Sequence, residues 1–243
     1  MGKTITAIIL AGGKGERLRP LTITLPKPMV KIHDKPILEY VLTLFQKNNI
    51  KDIIISVCYL PNLITEYFGD GSKFGLNISY VYENEDNPLG TAGSIAKLEK
   101  QLNETFIVCY GDSLRDVNIS SLLKEHQSTK PVATICIYKN ENPDPKSNVI
   151  FDENKTIVSF VERPSNTDSS PTWSNAGFYI LEPEVFNYIP QNQKSDFGKD
   201  IFPAVLADNK QIKSFIINGY FLDIGTKEKL SVAQKDIADG KLT

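Results

Sequence analysis

Apolar, β-branched runs alternate with segments of helical spacing through the first half of the chain, and this alternation constrains the fold more than any other feature. Ile5–Ala11 reads as a buried strand, Ile37, Leu38, Val41, Leu42, Leu44 and Phe45 recur at helical spacing, and Ile53–Val57 is strand-like again. Pro61 suits the first turn of a short helix to Phe68, and Leu76–Tyr82 reads as a strand. Thr91 or Ser94 opens a helix expected to run to Leu102, and Phe106–Tyr110 is the next buried strand. The alternation predicts an α/β fold built on a mostly parallel, doubly wound sheet with right-handed crossovers. The second half instead shows strands at Ala133–Tyr138, Asn148–Phe151, Ile157–Glu162 and Trp173–Leu181, with Asp152–Lys155 as a hairpin turn. Helices are expected around Glu184–Tyr188 and Gly198–Ala207, then a strand at Ile212–Ile217 and a closing helix from Thr226 to Ala238. The whole predicts one mixed sheet shared by two halves.

The first strand runs into Leu10, Ala11, Gly12, Gly13, Lys14, Gly15, Glu16 and Arg17, followed by Arg19 and by Pro26-Lys27-Pro28. Glycines without a Cβ let successive N–H groups converge on an anion, and Lys14, Arg17, Arg19 and Lys27 supply positive charge. The segment lacks the Gly-Lys-Ser/Thr ending of a P-loop, and the third glycine of the dinucleotide fingerprint would fall at Leu18. A polar turn is the alternative, but glycines and cations coincide at the carboxyl end of an apolar strand, where open α/β sheets bind ligands.

Composition narrows the partners. With 243 residues and 41% hydrophobic content the chain can bury a sizeable core, and its formal charge of −2 leaves no basic footprint for nucleic acid. No apolar run approaches a membrane span, and Met1–Thr6 is too short and polar for a secretion signal, so the expectation is a cytoplasmic protein with no membrane partner. Cys58, Cys109 and Cys136 each sit in an apolar run and read as buried thiols; His33 and His126 lie outside any cluster of ligand-type residues.

Two aspartates stand out. Asp112 follows a buried strand in Tyr110-Gly111-Asp112, and Asp223 follows another in Phe221-Leu222-Asp223. Carboxylates at two strand ends can converge on a hard divalent cation. Bare, two such charges ~4 Å apart at an effective dielectric of ~20 repel by about 4 kcal/mol. A helix cap for Asp112 and a turn for Asp223 are the plainer alternatives.

The glycine-rich segment with its Pro-Lys-Pro resembles the signature of the sugar-1-phosphate nucleotidyltransferases, the NDP-sugar pyrophosphorylases. Further motifs in the same order extend the resemblance over nearly the whole chain. In motif it is most similar to guanylyltransferases for mannose 1-phosphate and D-glycero-α-D-manno-heptose 1-phosphate. The resemblance implies a Rossmann-like nucleotidyltransferase fold, one domain over 1–243, with a nucleotide half to about residue 130 and a sugar half from about 131. It implies Mg²⁺ on Asp112 and Asp223, Arg17 and Lys27 as catalytic cations on the triphosphate, and nucleotide binding by the Leu10–Gly15 loop with Glu85, Gly90 and Thr91. Sugar-phosphate binding falls to Gly111, Asn148, Glu162, Arg163, Asn175 and Gly177. The substrates implied are a nucleoside triphosphate and a sugar 1-phosphate, and a homodimer is allowed. The β-helix or acyltransferase domain that some members carry is not expected, since the motifs take up nearly all of the 243 residues.

Three departures bear on specificity. Glu85 stands where thymidylyl and uridylyl relatives usually have Gln; a carboxylate only accepts, which suits the N1–H and N2–H₂ of guanine. The run Glu83–Asn87 is prone to insertion, and a plainly solvated Glu83 or Glu85 is the alternative. Arg163 replaces the usual Lys of Phe-x-Glu-Lys-Pro, and Ser147-Asn148 replaces Tyr-Gly, which favours a non-glucose sugar such as a mannose or manno-heptose. Asn175-Ala176-Gly177 matches the family's sugar cradle, with an edge-strand bulge as the alternative. Against this reading stand the same chemistry with CTP, dTTP or UTP, a non-sugar acceptor, and a non-catalytic nucleotide-sugar-binding regulator.

Overall fold

A computed structural model describes residues 5–140, 147–164 and 172–242. In chain order the strands are β1 (Thr6–Leu10), β2 (Lys31–Ile32), β3 (Lys35–Pro36), β4 (Asp52–Val57), β5 (Asn77–Tyr82), β6 (Phe106–Tyr110), β7 (Ser113–Arg115), β8 (Ala133–Asn140), β9 (Ser147–Phe151), β10 (Ile157–Glu162), β11 (Thr172–Leu181), β12 (Ile212–Ile216) and β13 (Phe221–Asp223). The α-helices are α1 (Ile37–Lys47), α2 (Pro61–Phe68), α3 (Gly90–Gly93), α4 (Ile119–Thr129), α5 (Phe202–Ala207) and α6 (Lys227–Ala238). No helix of the described residues is long and apolar enough to cross a membrane.

The chain divides into two compact units that interleave along the sequence. The first comprises Met1–Pro88, Cys109–Asn118 and Gly219–Thr243; the second comprises Leu89–Val108 and Ile119–Asn218. In the first, β1 pairs parallel with β4, Thr6 opposite Asp52, and β4 pairs parallel with β5. Ile8, Ile9, Ile53 and Ile55 are almost fully buried, as the β-branched runs require of a parallel sheet covered on both faces. Helix α1 buries Ile37, Leu38, Val41, Leu42 and Phe45, the stripe expected from helical spacing. Burying each such side chain contributes about 1.5–3 kcal/mol.

The second unit is mixed: β12 runs parallel to β8, β11 antiparallel to it, and β9 and β10 form a hairpin. The hairpin turn falls at Asp152–Lys155, where Lys155 takes a φ of 60° and its N–H donates to the Asp152 carbonyl at 2.9 Å. An α/β architecture with a mixed sheet is what the sequence pattern predicts.

Three helical expectations need correction. The helix from Thr91 to Leu102 is only a turn, Gly90–Gly93, followed by a 3₁₀ turn at Ala96–Leu98. Its start is diverted by tertiary bonds: the N–H groups of Ala92 and Gly93 both donate to the Ser195 carbonyl, at 3.0 and 3.2 Å. Thr91 does not cap it; its hydroxyl donates to Asp196 at 2.7 Å instead. Pro183–Tyr188 is a 3₁₀ segment, and the helix expected from Gly198 opens as a π-turn, Phe197–Ile201, capped by Asp196, whose carboxylate accepts from Gly198 and Lys199 N–H.

Candidate active site

The glycine-rich loop is shaped by contacts within the first unit. Among Gly12, Gly13 and Gly15 only Gly15 takes a left-handed conformation, with φ 66°. A Cβ on it would lie 2.8 Å from the Lys27 Cβ, and Thr22 donates to its carbonyl at 2.7 Å. The loop is thereby folded down onto Lys27. Gly12 packs against Cys58, and a Cβ there would reach within 3.4 Å of the Glu83 carboxylate. Leu10 and Ala11 end the strand, with Ala11 N–H donating to Ser56 O at 2.8 Å, while Gly13 and Lys14 are exposed.

Below the loop lies a charge cluster. Gly111 N–H donates to the Leu10 carbonyl at 3.0 Å, which brings the end of β6 alongside β1 and sets Asp112 close to the loop's base. Strand β13 pairs antiparallel with β7, Asp223 opposite Ser113, so both aspartates come to one place. Lys27, 6% exposed, holds its ammonium 2.6 Å from Asp112 and 3.4 Å from Asp223. Lys27 thus supplies part of the neutralisation that two adjacent carboxylates need. Arg17 is exposed, and its guanidinium lies over Gly225, where a Cβ would fall 2.9 Å from Nη2. Lys229, in the first turn of α6, has its pKa lowered by burial and then by the positive charges of Arg17 and Lys27.

The aspartate pair fits a divalent cation in one respect. Its donors are hard carboxylate oxygens drawn to a single cationic centre, and one lysine offsets only one of the two negative charges. Among the described residues no group of three or more His, Cys, Asp and Glu side chains forms a protein-only metal cage.

Glu85 and Glu83 occupy different settings. Glu85 is exposed and pairs with Lys14 at 3.3 Å, with Lys14 also 5.8 Å over the Tyr59 ring. Such an exposed pair is worth ~0–1 kcal/mol and can open readily. Glu83 is half-buried at the end of β5 and accepts from the Ser56 hydroxyl at 3.1 Å.

In the second unit, Gly90 takes a φ of 78°, and a Cβ there would lie 2.6 Å from the Ser195 carbonyl, so its missing side chain serves the protein's own backbone. Thr91 links to the following segment twice, donating to Asp196 and accepting from Phe197 N–H at 3.0 Å. Glu162 ends β10, and a Cβ on Gly198 would fall 2.7 Å from its Oε2. Arg163 beside it is exposed with φ 50°. Asn175 is anchored at three points: its N–H donates to Ser147 Oγ at 2.8 Å, its amide NH₂ donates to Tyr179 Oη at 2.7 Å, and its Oδ1 accepts from Gly177 N–H at 2.9 Å. The register of β11 shifts between Asn175 and Tyr179, with Gly177 at φ 64°. The bulge is real, but it lies within β11, which is paired along its length with β8 rather than left as an edge by it. Asn148 sits opposite Val161 in the hairpin, and Ser147 is buried.

The remaining singled-out groups are structural. All three cysteines are buried and none is in a disulfide, and burial pushes the Cys109 thiol up to about 11. His33 donates to the Gln234 carbonyl at 2.8 Å. His126 is buried, donating to Glu182 at 3.0 Å and accepting from the Thr134 hydroxyl at 2.8 Å.

The family pattern described as nucleotidyl transferase matches residues 6–240. The chain belongs to that family. Within it, the chain is 36% identical over 232 residues to a UTP–glucose-1-phosphate uridylyltransferase of Synechocystis, covering 90% of this chain and 60% of that protein. It is also 36% identical over 239 residues to a mannose-1-phosphate guanylyltransferase of Mycobacterium tuberculosis, covering 97% of this chain and 65% of the other. The chain therefore spans about three fifths to two thirds of the length of these relatives. Its fold resembles a solved Bacillus anthracis protein titled a glucose-1-phosphate thymidylyltransferase, with TM-score 0.83 at 22% identity over 95% of this chain and 94% of that one. It also resembles HddC from Yersinia pseudotuberculosis, solved with GMP-PN, with TM-score 0.81 at 25% identity over 96% and 99% of the two chains.

Several contributors escape a reading of motifs. Tyr179 and Ser147 hold Asn175, and Asp196 holds Thr91; Ser147 and Asp196 are distant in sequence from what they position, while Tyr179 reaches Asn175 from the far side of the β11 bulge. Lys229 left one usable sign, a cation in the first turn of a helix, where the dipole favours the opposite charge.

Proposed function

We propose that the protein is a Mg²⁺-dependent nucleotidyltransferase that joins a sugar 1-phosphate to a nucleoside triphosphate, with GTP favoured, and releases pyrophosphate. The observation that carries this is the meeting of Lys27 with Asp112 and Asp223 beneath the glycine-rich loop. In the reaction an oxygen of the sugar phosphate attacks the α-phosphorus in line. The α–β phosphoanhydride bond breaks, and pyrophosphate leaves with the bonding electron pair. The nucleophile is already anionic, so catalysis is positioning and charge neutralisation. Arg17 and Lys27 steady the triphosphate and its departing pyrophosphate, and Lys14 and the Leu10–Gly15 backbone line the loop. Asp112 and Asp223 would hold Mg²⁺, which supplies Lewis-acid polarisation of phosphate oxygens.

Glu162 accepts from sugar hydroxyls, Arg163 faces the 1-phosphate, and Gly111, Asn148, Asn175 and Gly177 complete that set. Gly90 and Thr91 shape the base-binding turn. The division of labour remains a nucleotide half to about residue 130 and a sugar half after it, in one nucleotidyltransferase domain. Guanine is favoured because a carboxylate at Glu85, or at the better-buried Glu83, matches its donor edge. The Mycobacterium tuberculosis relative, named for mannose 1-phosphate and guanylyl transfer, supports both the base and a manno-configured sugar. The Synechocystis relative, named for UTP, supports the alternative. The setting we propose is synthesis of glycan, capsule or lipopolysaccharide precursors in the cytoplasm.

Pyrophosphate release, measured with Mg²⁺, each nucleoside triphosphate and a panel of sugar 1-phosphates, tests the reading. GTP with a mannose or manno-heptose 1-phosphate should turn over fastest. Faster CTP, UTP or dTTP would refute the assignment of the base, and nucleotide binding without turnover for any pair would favour a regulatory protein.

A further inference from the structure

Three cations of the first unit, Lys27 on the two carboxylates, Arg17 over Gly225 and Lys229 in the first turn of α6, are not used alike. Lys27 is shared between Asp112 and Asp223. Arg17 is stacked over the Gly225 backbone, two residues beyond Asp223, and neither it nor Lys229 has a side-chain ion pair among the described residues.

Lys229 is held in place rather than left to wander. Thr226 caps α6 by accepting from the Lys229 N–H at 3.4 Å, which fixes the first turn next to Gly225 and hence next to Arg17. Its side chain is half-buried, while Lys227 and Glu228 beside it are exposed. A lysine there meets three penalties at once: partial desolvation, the positive end of the helix dipole, and two neighbouring cations whose charges lower its pKa. Local rules broken together in this way mark a functional position, since an anion arriving between these cations relieves all three.

We infer that Lys229 is a third phosphate ligand of the site, binding with Arg17 the pyrophosphoryl end of the nucleoside triphosphate and the pyrophosphate that departs. The inference rests on the proposed transferase reading and adds to it a residue outside the recognised motifs. Lys27 divides its charge between the aspartates and the phosphates, so Arg17 and Lys229 add the further positive charge that the leaving group calls for.

The test compares the wild-type chain with Lys229→Met, which keeps the aliphatic stem, with Lys229→Arg, and with Lys235→Met on an exposed turn of the same helix. Binding of inorganic pyrophosphate alone is measured by calorimetry, and kcat and KM are measured for both substrates. Lys229→Met should weaken pyrophosphate and raise the KM for nucleoside triphosphate about tenfold, the scale of one charge-assisted hydrogen bond. The KM for sugar 1-phosphate should not move, Lys229→Arg should rescue binding, and Lys235→Met should match wild type. Unchanged pyrophosphate binding in Lys229→Met, or an equal loss in Lys235→Met, overturns the inference while leaving a working enzyme. Binding that depends on Lys229 in a protein that turns over no substrate pair sinks the transferase reading and keeps the anion site. No pyrophosphate binding by the wild type overturns the inference whether or not turnover is seen.

Discussion

The charge cluster of the first unit and the Asn175 network of the second are both rich in polar side chains, yet they spend them differently. Around Asn175 the visible bonds close on the protein itself: Ser147, Tyr179 and Gly177 each take a share of one asparagine. Around Lys27 one ammonium serves two carboxylates, while Arg17 and Lys229 carry charge with no ion pair of their own among the described residues. The first arrangement is a set of neutral hydrogen bonds; the second is a set of charges. The contrast separates a preorganised hydrogen-bond network in the second unit from a charge cluster in the first.

The strongest way to break this comparison is at Lys27. Lys27→Met leaves two partly buried carboxylates without their shared cation, and turnover should fall by about 10²–10³, as for loss of a preorganised charge. Asp112→Asn or Asp223→Asn should abolish Mg²⁺-dependent turnover while the fold persists by circular dichroism. A Lys27→Met protein with wild-type pyrophosphate release would show that the cluster is merely structural.

Gly15→Ala should cost about 1–2 kcal/mol of stability, because it demands a left-handed alanine and a Cβ pressed on Lys27. Its thermal midpoint should drop and its nucleotide affinity with it; a drop in neither would mean the loop relaxes freely. Asn175→Ala should cost a similar or smaller amount, about 1–1.5 kcal/mol, through lost hydrogen bonds inside the second unit. Here the expected signature is a higher KM for sugar 1-phosphate with nucleotide binding intact, and the reverse pattern would erase the contrast between the units.

The smallest effect belongs to His126. Burial lowers its pKa, against the opposing pull of Glu182, so the folded state favours the neutral ring more than the unfolded chain does. That contribution is complete above the ordinary histidine range, and is lost as pH falls through it towards the depressed folded value. Thermal midpoints measured from pH 7.5 down to 5 should decline less steeply in His126→Gln than in wild type; parallel curves would remove His126 from the account.

Legibility followed the range over which a residue's partners lie. β1, α1, β4 and α2 were readable because burial of Ile8, Phe45 or Ile55 is dictated by spacing within a few residues. The segment after Gly90 was not, since its amides bond to Ser195, about a hundred residues away, and nothing local announces the diversion. In the site, Asp112, Asp223 and Lys27 could be picked out because strand ends, prolines and glycines flank them. Ser147 and Asp196 could not, because their significance lies in neighbours brought close by folding, and the helix-start position of Lys229 gains meaning only beside Arg17 and Lys27. The expected use of Gly90 shows the same limit: the need for a bare backbone was visible, but the carbonyl that approaches it was not.

The interleaving of the two units also orders their birth on the ribosome. Segments Leu89–Val108 and Ile119–Asn218 are synthesised before Gly219–Thr243, which the first unit still requires. A nascent chain arrested near Asn218 would already carry every segment of the second unit, yet would lack Asp223, Gly225 and Lys229. The charge cluster is therefore the last to be completed, and a chain ending near Asn218 would keep its Asn175 network while lacking Asp223, Gly225 and Lys229.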